Sequence, residues 1–200
     1  ERILKGSMEE DALSLITVRT NIAMLYGELG KLDQSTELFK NLVSLIENKY
    51  GVENDLSVRS YRSLGANYLE QNNLNEASLY TQKSLDACLA IFPEGNVETT
   101  RSMSQLATIK FEQKKFSEAI TIAQKGIQLL RGKNTETSAY LAMPYTVISK
   151  SYDELGEEEQ YENYRDSSYL VLGYDLNQAK NIEDIEALHL MMKTIESEIK

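Results

Sequence analysis

Ala23, Gly65, Ala107 and Ser149 stand 42 residues apart, and other residue types keep the same register around them. Tyr26, Tyr68 and Tyr152 come three residues later, with Lys110 in the third copy. Leu32, Leu74 and Phe116 come nine later, and Ser35, Ala77 and Ala119 twelve later. A fixed period over four copies means one supersecondary unit repeated, with stacked neighbours burying the core that a single unit cannot. Within a copy the apolar residues fall at helical spacings: Leu64 and Tyr68, then Leu74, Ala77 and Leu85. Between them lies a short polar break, Leu29-Gly30-Lys31 in the first copy and Gln71-Asn72-Asn73 in the second. Gly30 and Gly156 suit the residue just past a helix end, where positive φ is often needed. The small residues at 23, 65, 107 and 149 let the two helices of a pair approach closely. The unit reads as helix, tight turn, helix.

Three groups of residues carry a resemblance to a known family. They are Asn21-Ile22-Ala23-Met24-Leu25-Tyr26 with Gly30, Leu32 and Phe39; Leu64-Gly65-Ala66-Asn67-Tyr68 with Leu74 and Glu76-Ala77; and Leu106-Ala107 with Phe116 and Glu118-Ala119-Ile120. This pattern resembles the tetratricopeptide repeat (TPR) family over about residues 13–174. The usual period is 34 residues. The eight extra residues per copy imply a longer second helix and connection, similar to the repeats of kinesin light chains. The resemblance implies an all-α, right-handed superhelical solenoid of antiparallel helix pairs. Four pairs are expected over residues 13–174. Lys110 departs from the tyrosine column, and Asn72 and Lys114 from the turn glycine. Tyr161 stands where alanine is usual, so the fourth pair is expected to pack irregularly.

Ile3-Leu4-Lys5-Gly6 matches Leu129-Leu130-Arg131-Gly132 three periods on. Residues 1–12 are accordingly expected to hold the tail of a preceding repeat helix and a loop, which makes the chain a piece of a longer array. The alternative is an artificial junction at Gly6-Ser7-Met8. Ile185, Leu188, Met192, Ile195 and Ile199 form one apolar stripe. Residues 175–200 are therefore expected to form a C-terminal capping helix, since terminal repeats need a cover.

The net charge is −10, which argues against general binding to nucleic acid or anionic membrane. No apolar stretch approaches ~18 residues, so no membrane insertion is expected. The single Cys88 lies in an apolar helical segment with Leu85 and Leu89 and cannot form an internal disulfide. An intracellular, cytoplasmic setting that keeps the thiol reduced is expected. No phosphate loop, paired-cysteine motif or nucleophile elbow occurs. Glu186 and His189 have di-iron spacing, but that chemistry needs a second such motif and two more glutamates. No cofactor, no metal and no enzymatic activity are expected. Glu157-Glu158-Glu159 suits the positive end of a helix dipole.

The family resemblance, rather than the periodicity, implies which residues line a groove on the first helices of the pairs. The candidate peptide-binding set is Thr20, Met24, Arg59, Arg62, Leu69, Arg101, Ser104, Thr108, Phe111 and Lys150. The arginines and the lysine set a positive cluster against the acidic background. Such a cluster attracts acidic partners and holds carboxylates bidentately. Leu69 and Phe111 offer an apolar anchor beside it. A column of acid, Glu28, Glu70, Glu112 and Glu154, either adds a negative rim to the groove or solvates the turns. Of the asparagines that hold peptide backbones in some relatives, only Asn21 is present. Thr20 and Met24 replace the lysine and asparagine of the chaperone-binding clamp. The expected function is a non-catalytic protein–protein interaction module binding a peptide segment of a partner in its concave groove, with an acidic segment suiting the positive cluster. The alternative is a ligand-sensing or regulatory segment of a larger signalling protein or enzyme.

Overall fold

A computed structural model describes the backbone of residues 2–131 and 138–172 and the side chains of residues 13–131 and 140–172. Among the described residues there are α-helices and one 3₁₀ turn, and no strand. The helices are α1 (Arg2–Glu28), α2 (Leu32–Tyr50), α3 (Asp55–Glu70), α4 (Leu74–Ile91), α5 (Val97–Glu112), α6 (Phe116–Arg131), α7 (Ala142–Glu154) and α8 (Glu158–Val171). The 3₁₀ turn, Ser138–Leu141, leads into α7. The pairs α1–α2, α3–α4, α5–α6 and α7–α8 are the four units of the period. The longer second helix that the period implies is seen in the second pair, at 18 residues against 16, but not in the third, where both helices have 16, nor in the first, where α1 has 27 against 19.

Two features differ from the sequence expectation or lie outside the structure. The loop expected before residue 13 is absent, because α1 runs unbroken from Arg2 to Glu28. Gly6 inside a helix costs only about 1 kcal/mol, too little to end it. The capping helix expected over 175–200, and Glu186 and His189 with it, lies outside the described residues.

The turn inside each pair is the same object four times. Gly30, Asn72, Lys114 and Gly156 occupy equivalent places and all have positive φ, at 71°, 56°, 60° and 74°. In each case the next residue's N–H reaches back to the carbonyl of the column residue Tyr26, Tyr68, Lys110 or Tyr152, at 2.8–2.9 Å. This is the Schellman ending, which satisfies carbonyls the helix leaves open. The turn geometry therefore survives the loss of glycine in the middle copies. An L-residue with a side chain pays about 1–2 kcal/mol for that conformation. Lys114→Gly is expected to stabilise the protein by about 0.5–1 kcal/mol in urea unfolding, once the greater freedom of glycine in the unfolded chain is deducted. Lys114→Ala should show no such gain.

Contacts cluster the chain into two compact units that divide between Ile91 and Phe92. In the first unit the small-residue column does what its spacing predicts. Ala23 is fully buried and its carbonyl accepts from Ser35 Oγ at 2.7 Å. Asn67 Nδ2 then donates to the same Ser35 oxygen at 2.7 Å. This buried chain of polar groups ties the second pair to the first. Phe39, Ile46, Leu64 and Tyr61 fill the core beside it, and Cys88 is buried with Val58 and Ala87.

In the second unit Ala107, Ala119, Ala123, Ile127, Leu130, Val147 and Ile148 form one apolar cluster. Ser149 is buried in the small column, and its hydroxyl donates to the Tyr161 carbonyl at 3.1 Å. The large Tyr161 ring is accommodated at the side, under the Arg165 guanidinium at 5.4 Å. Lys110, the departure from the tyrosine column, reaches Glu118 of its paired helix at 3.1 Å. Asn96 caps α5 by accepting from the Thr99 N–H at 2.9 Å, and Thr99 Oγ1 accepts in return from the Asn96 N–H. Glu158 and Glu159 fall in the first turn of α8, where they face its positive end.

Candidate functional site

On α3, the buried residues Val58, Tyr61, Leu64, Gly65 and Tyr68 form the inner face. Helical spacing then puts Arg59, Arg62, Ala66 and Leu69 on the opposite one. Arg59 and Ala66 are exposed, and Arg62 and Leu69 are half-buried at the margins. Arg59 forms no ion pair among the described residues. On α1 in the same unit, Met24 is exposed and Thr20 is half-buried, with its hydroxyl bonded to the Ile16 carbonyl at 2.9 Å. The first unit therefore exposes Arg59 on α3 and Met24 on α1, with Arg62, Leu69 and Thr20 half-buried on the same helices.

A second open face of α1 carries Leu15, Val18, Ile22, Leu25 and Leu29. All are exposed, Leu29 by 69%. These residues recur at alternating spacings of three and four and so form one apolar stripe, about a half-turn from Met24.

The second unit sorts its candidate residues differently. Ser104 and Thr108 are buried, and their hydroxyls donate to the carbonyls of Thr100 and Ser104 at 2.8 and 3.0 Å. Each is satisfied within α5 and turned away from solvent. Arg101 is exposed but engaged: Nη1 lies 3.2 Å from Glu98 Oε1, and the guanidinium sits 5.1 Å from the Tyr140 ring centre. Phe111 is half-buried against Phe116, with ring centres 5.5 Å apart. Lys150 is half-buried on α7. Its charge opposes the burial that pushes the Glu112 carboxyl above its ordinary range. The four glutamates of the acidic column are all exposed.

A feature that the sequence reading missed recurs at two periods instead of one. Tyr61 and Tyr80 have ring centres 6.5 Å apart, and Tyr68 stacks on Tyr80 at 5.7 Å and 18°. In the second unit Tyr145, Tyr152 and Tyr164 repeat this, at 6.2 Å for Tyr145–Tyr164 and 5.6 Å and 24° for Tyr152–Tyr164. The signal was present as three tyrosine pairs at a spacing of 84, which a search at 42 passes over. Beside each triad lies a cavity. In the first unit it measures about 220 Å³ and is lined by Glu47, Tyr61, Lys83 and Asp86 among others. In the second it measures about 410 Å³, between α6 and α8 over Tyr145.

Among the described residues no group of histidine, cysteine and carboxylate side chains is placed to hold a metal ion. No described helix is long and apolar enough to cross a membrane.

Residues 14–90 match the family pattern described as Tetratricopeptide repeat. Solved structures similar to this chain include BtubC (BKLC) from P. vanneervenii, at 14% identity over 84% of this chain and 68% of that one, with a TM-score of 0.72. A Podosopora anserina putative kinesin light chain with nearly identical TPR-like repeats aligns at 12% identity over 83% of this chain and 77% of that one, with a TM-score of 0.65. MamA aligns at 16% identity over 90% and 89%, with a TM-score of 0.59. At these identities the likeness is one of fold, an all-α array of tetratricopeptide-like helix pairs. No curated protein matches the sequence.

Proposed function

We propose that this chain, with tetratricopeptide repeats over residues 14–90 and helix pairs of the same kind beyond them, is a non-catalytic module that binds a peptide segment of a partner protein. The observation that carries the reading is the open face of α3. Two arginines one turn apart share it with Leu69, in a chain whose net charge is −10. A guanidinium is committed to planar, bidentate recognition of carboxylates. The partner segment is therefore acidic, with an apolar residue for Leu69. Met24 and Thr20 on α1 extend the same surface. In the second unit Arg101, Phe111 and Lys150 offer a matching set, while Ser104 and Thr108 contribute to the helix and leave the contact surface.

The apolar stripe on α1 supports a protein partner independently, because contiguous exposed apolar patches mark protein contacts. The negative background would repel nucleic acid. The buried, single Cys88 fits a reducing, intracellular compartment.

A peptide array tests the site. Arg59→Glu with Arg62→Glu is expected to weaken capture of acidic peptides by about tenfold or more, since each charged hydrogen bond is worth about 1.5–3 kcal/mol. Neutral peptides should be little affected. Arg101→Glu should weaken capture less than Arg59→Glu does, because Arg101 already serves Glu98 and Arg59 makes no ion pair among the described residues. Acidic-peptide binding that is unchanged in the double variant would remove the α3 face from the site.

A further inference from the structure

The two cavities beside the tyrosine triads share three lining positions 84 residues apart, yet their charges are arranged differently. In the first unit Glu47 accepts from Tyr61 Oη at 2.5 Å and pairs with Lys83 Nζ at 3.5 Å. The Lys83 ammonium also lies 5.3 and 5.4 Å from the ring centres of Tyr61 and Tyr80. Acid, base and phenol satisfy one another, and this cavity is complete in itself.

Two periods later Arg131 stands at the place of Glu47, Tyr145 at that of Tyr61, and Ser167 at that of Lys83. The cation now has no carboxylate: Arg131 makes no ion pair among the described residues. Its Nη2 donates to Tyr145 Oη, and its guanidinium lies 5.9 Å from that ring centre. Because Tyr145 accepts there, its own O–H is left to donate elsewhere. Tyr164 is in the same position, since its oxygen accepts from Gln124 Nε2 at 3.1 Å. Ser167 spends its hydroxyl on the Asn163 carbonyl. The cavity thus gathers one guanidinium and two phenols with protons to give, and Gln124, Ile127, Gln128 and Ser167 complete its lining. At about 410 Å³ it is within the range of small-ligand sites.

We infer that the cavity formed by Arg131, Tyr145 and Tyr164 is a carboxylate-binding site, separate from the open face of α3. A ligand carboxylate takes the place that the Glu47 carboxylate fills in the first unit, and meets the guanidinium fork and the two phenol hydrogens. One cation matches a monoanion better than a phosphate dianion. The aromatic walls accept an apolar body behind the carboxylate. The carboxylate belongs either to a free organic acid or to a peptide side chain, and the test separates these two sources.

The whole chain, ¹⁵N-labelled, is titrated with benzoate, with the capped peptide acetyl-Gly-Glu-Gly-amide, and with benzamide as the uncharged isostere. Benzoate, the peptide or both should saturate shifts at residues 124–131, Tyr145 and Tyr164, while benzamide should bind about tenfold more weakly or not at all. Benzoate alone would assign a free acid, and the peptide alone a protein carboxylate. Arg131→Gln should weaken binding by about tenfold or more, and Arg131→Lys by less. Tyr145→Phe and Tyr164→Phe, which keep the walls, should each weaken it by several-fold. The inference is overturned if neither acid shifts these residues, if benzamide binds as well as benzoate, if binding survives Arg131→Gln, or if inorganic phosphate binds in preference to both acids. Shifts centred on Tyr61 and Lys83 would place the anion in the wrong cavity and overturn it equally.

Discussion

Gly65→Val should destabilise the first unit by about 3 kcal/mol or more, the upper end of what overpacking costs. Gly65 sits where α3 crosses α4. A Cβ built there would lie 2.4 Å from Thr81 Oγ1, 3.2 Å from the Thr81 nitrogen and 3.3 Å from the Ala77 carbonyl oxygen. The hydroxyl could rotate, but Thr81 is fully buried and rotation only exchanges one group for another. The two backbone contacts have no such escape, so the helices must move apart and Ala77, also fully buried, loses its packing. The effect is expected despite the poor helix propensity of glycine, whose replacement would return only about 1 kcal/mol at an open position. Paired variants isolate the cause. Gly65→Ala alone should cost about 1–2 kcal/mol, and adding Thr81→Ala, which removes the hydroxyl contact and leaves the two backbone ones, should recover only part of it. Amide hydrogen exchange should show the loss in α3 and α4, with residues beyond Phe92 little changed, since repeat arrays open by units. A Gly65→Val protein as stable as the parent would mean that the close crossing is absent.

Tyr61→Ala is the second large loss expected, at about 3–5 kcal/mol. The ring is 2% exposed and packs with Tyr80, and its hydroxyl is bonded to Glu47. Tyr61→Phe keeps the ring and removes only that hydrogen bond, so it should cost about 1–2 kcal/mol. The two variants also differ in how they bear on pH. Burial first, and the Glu47 carboxylate second, push the Tyr61 phenol well above its ordinary value of 10.0. The folded protein then holds this proton more tightly than the unfolded chain does. The stabilisation is complete below about pH 10 and is lost as pH rises toward the folded value. Urea unfolding between pH 9 and 11.5 should show stability falling with pH in the parent, and falling less steeply in Tyr61→Phe. Burial raises Tyr80 and Tyr152 as well, so some slope should remain. Equal slopes in parent and Tyr61→Phe would refute the assignment to Tyr61.

Most of the architecture was readable before any coordinates, because what sets it is local. A small residue every 42 positions, a tyrosine three later and a turn residue seven later define the pair and its crossing. Even the glycine departures at Asn72 and Lys114 left the turn unchanged, because the helix end demands left-handed backbone there whichever residue supplies it. The start of the first pair was read less well. Matching Ile3-Leu4 to Leu129-Leu130 suggested a boundary after residue 12, but one glycine cannot stop a helix.

The candidate site divides in the same way. Helical spacing put Arg59 and Arg62 on one face, where the structure exposes Arg59 and half-buries Arg62. Spacing could not say that Ser104 and Thr108 would be buried, or that Arg101 would lie against Tyr140 as well as beside Glu98 one turn away. Those outcomes depend on what packs against α5, which is α6 and, at Arg101, the ring of Tyr140. Periodicity along the chain thus determined the unit, its turns and which face each residue is born on, since these follow from bonds spanning a few residues. Only the folded packing decided which charges are already neutralised, as at Glu47 with Lys83, and which, like Arg131, stand over a cavity without a counter-ion among the described residues. Neutralisation is a property of pairs brought together from distant copies, and a repeat that conserves shape leaves the charges at equivalent positions free to differ.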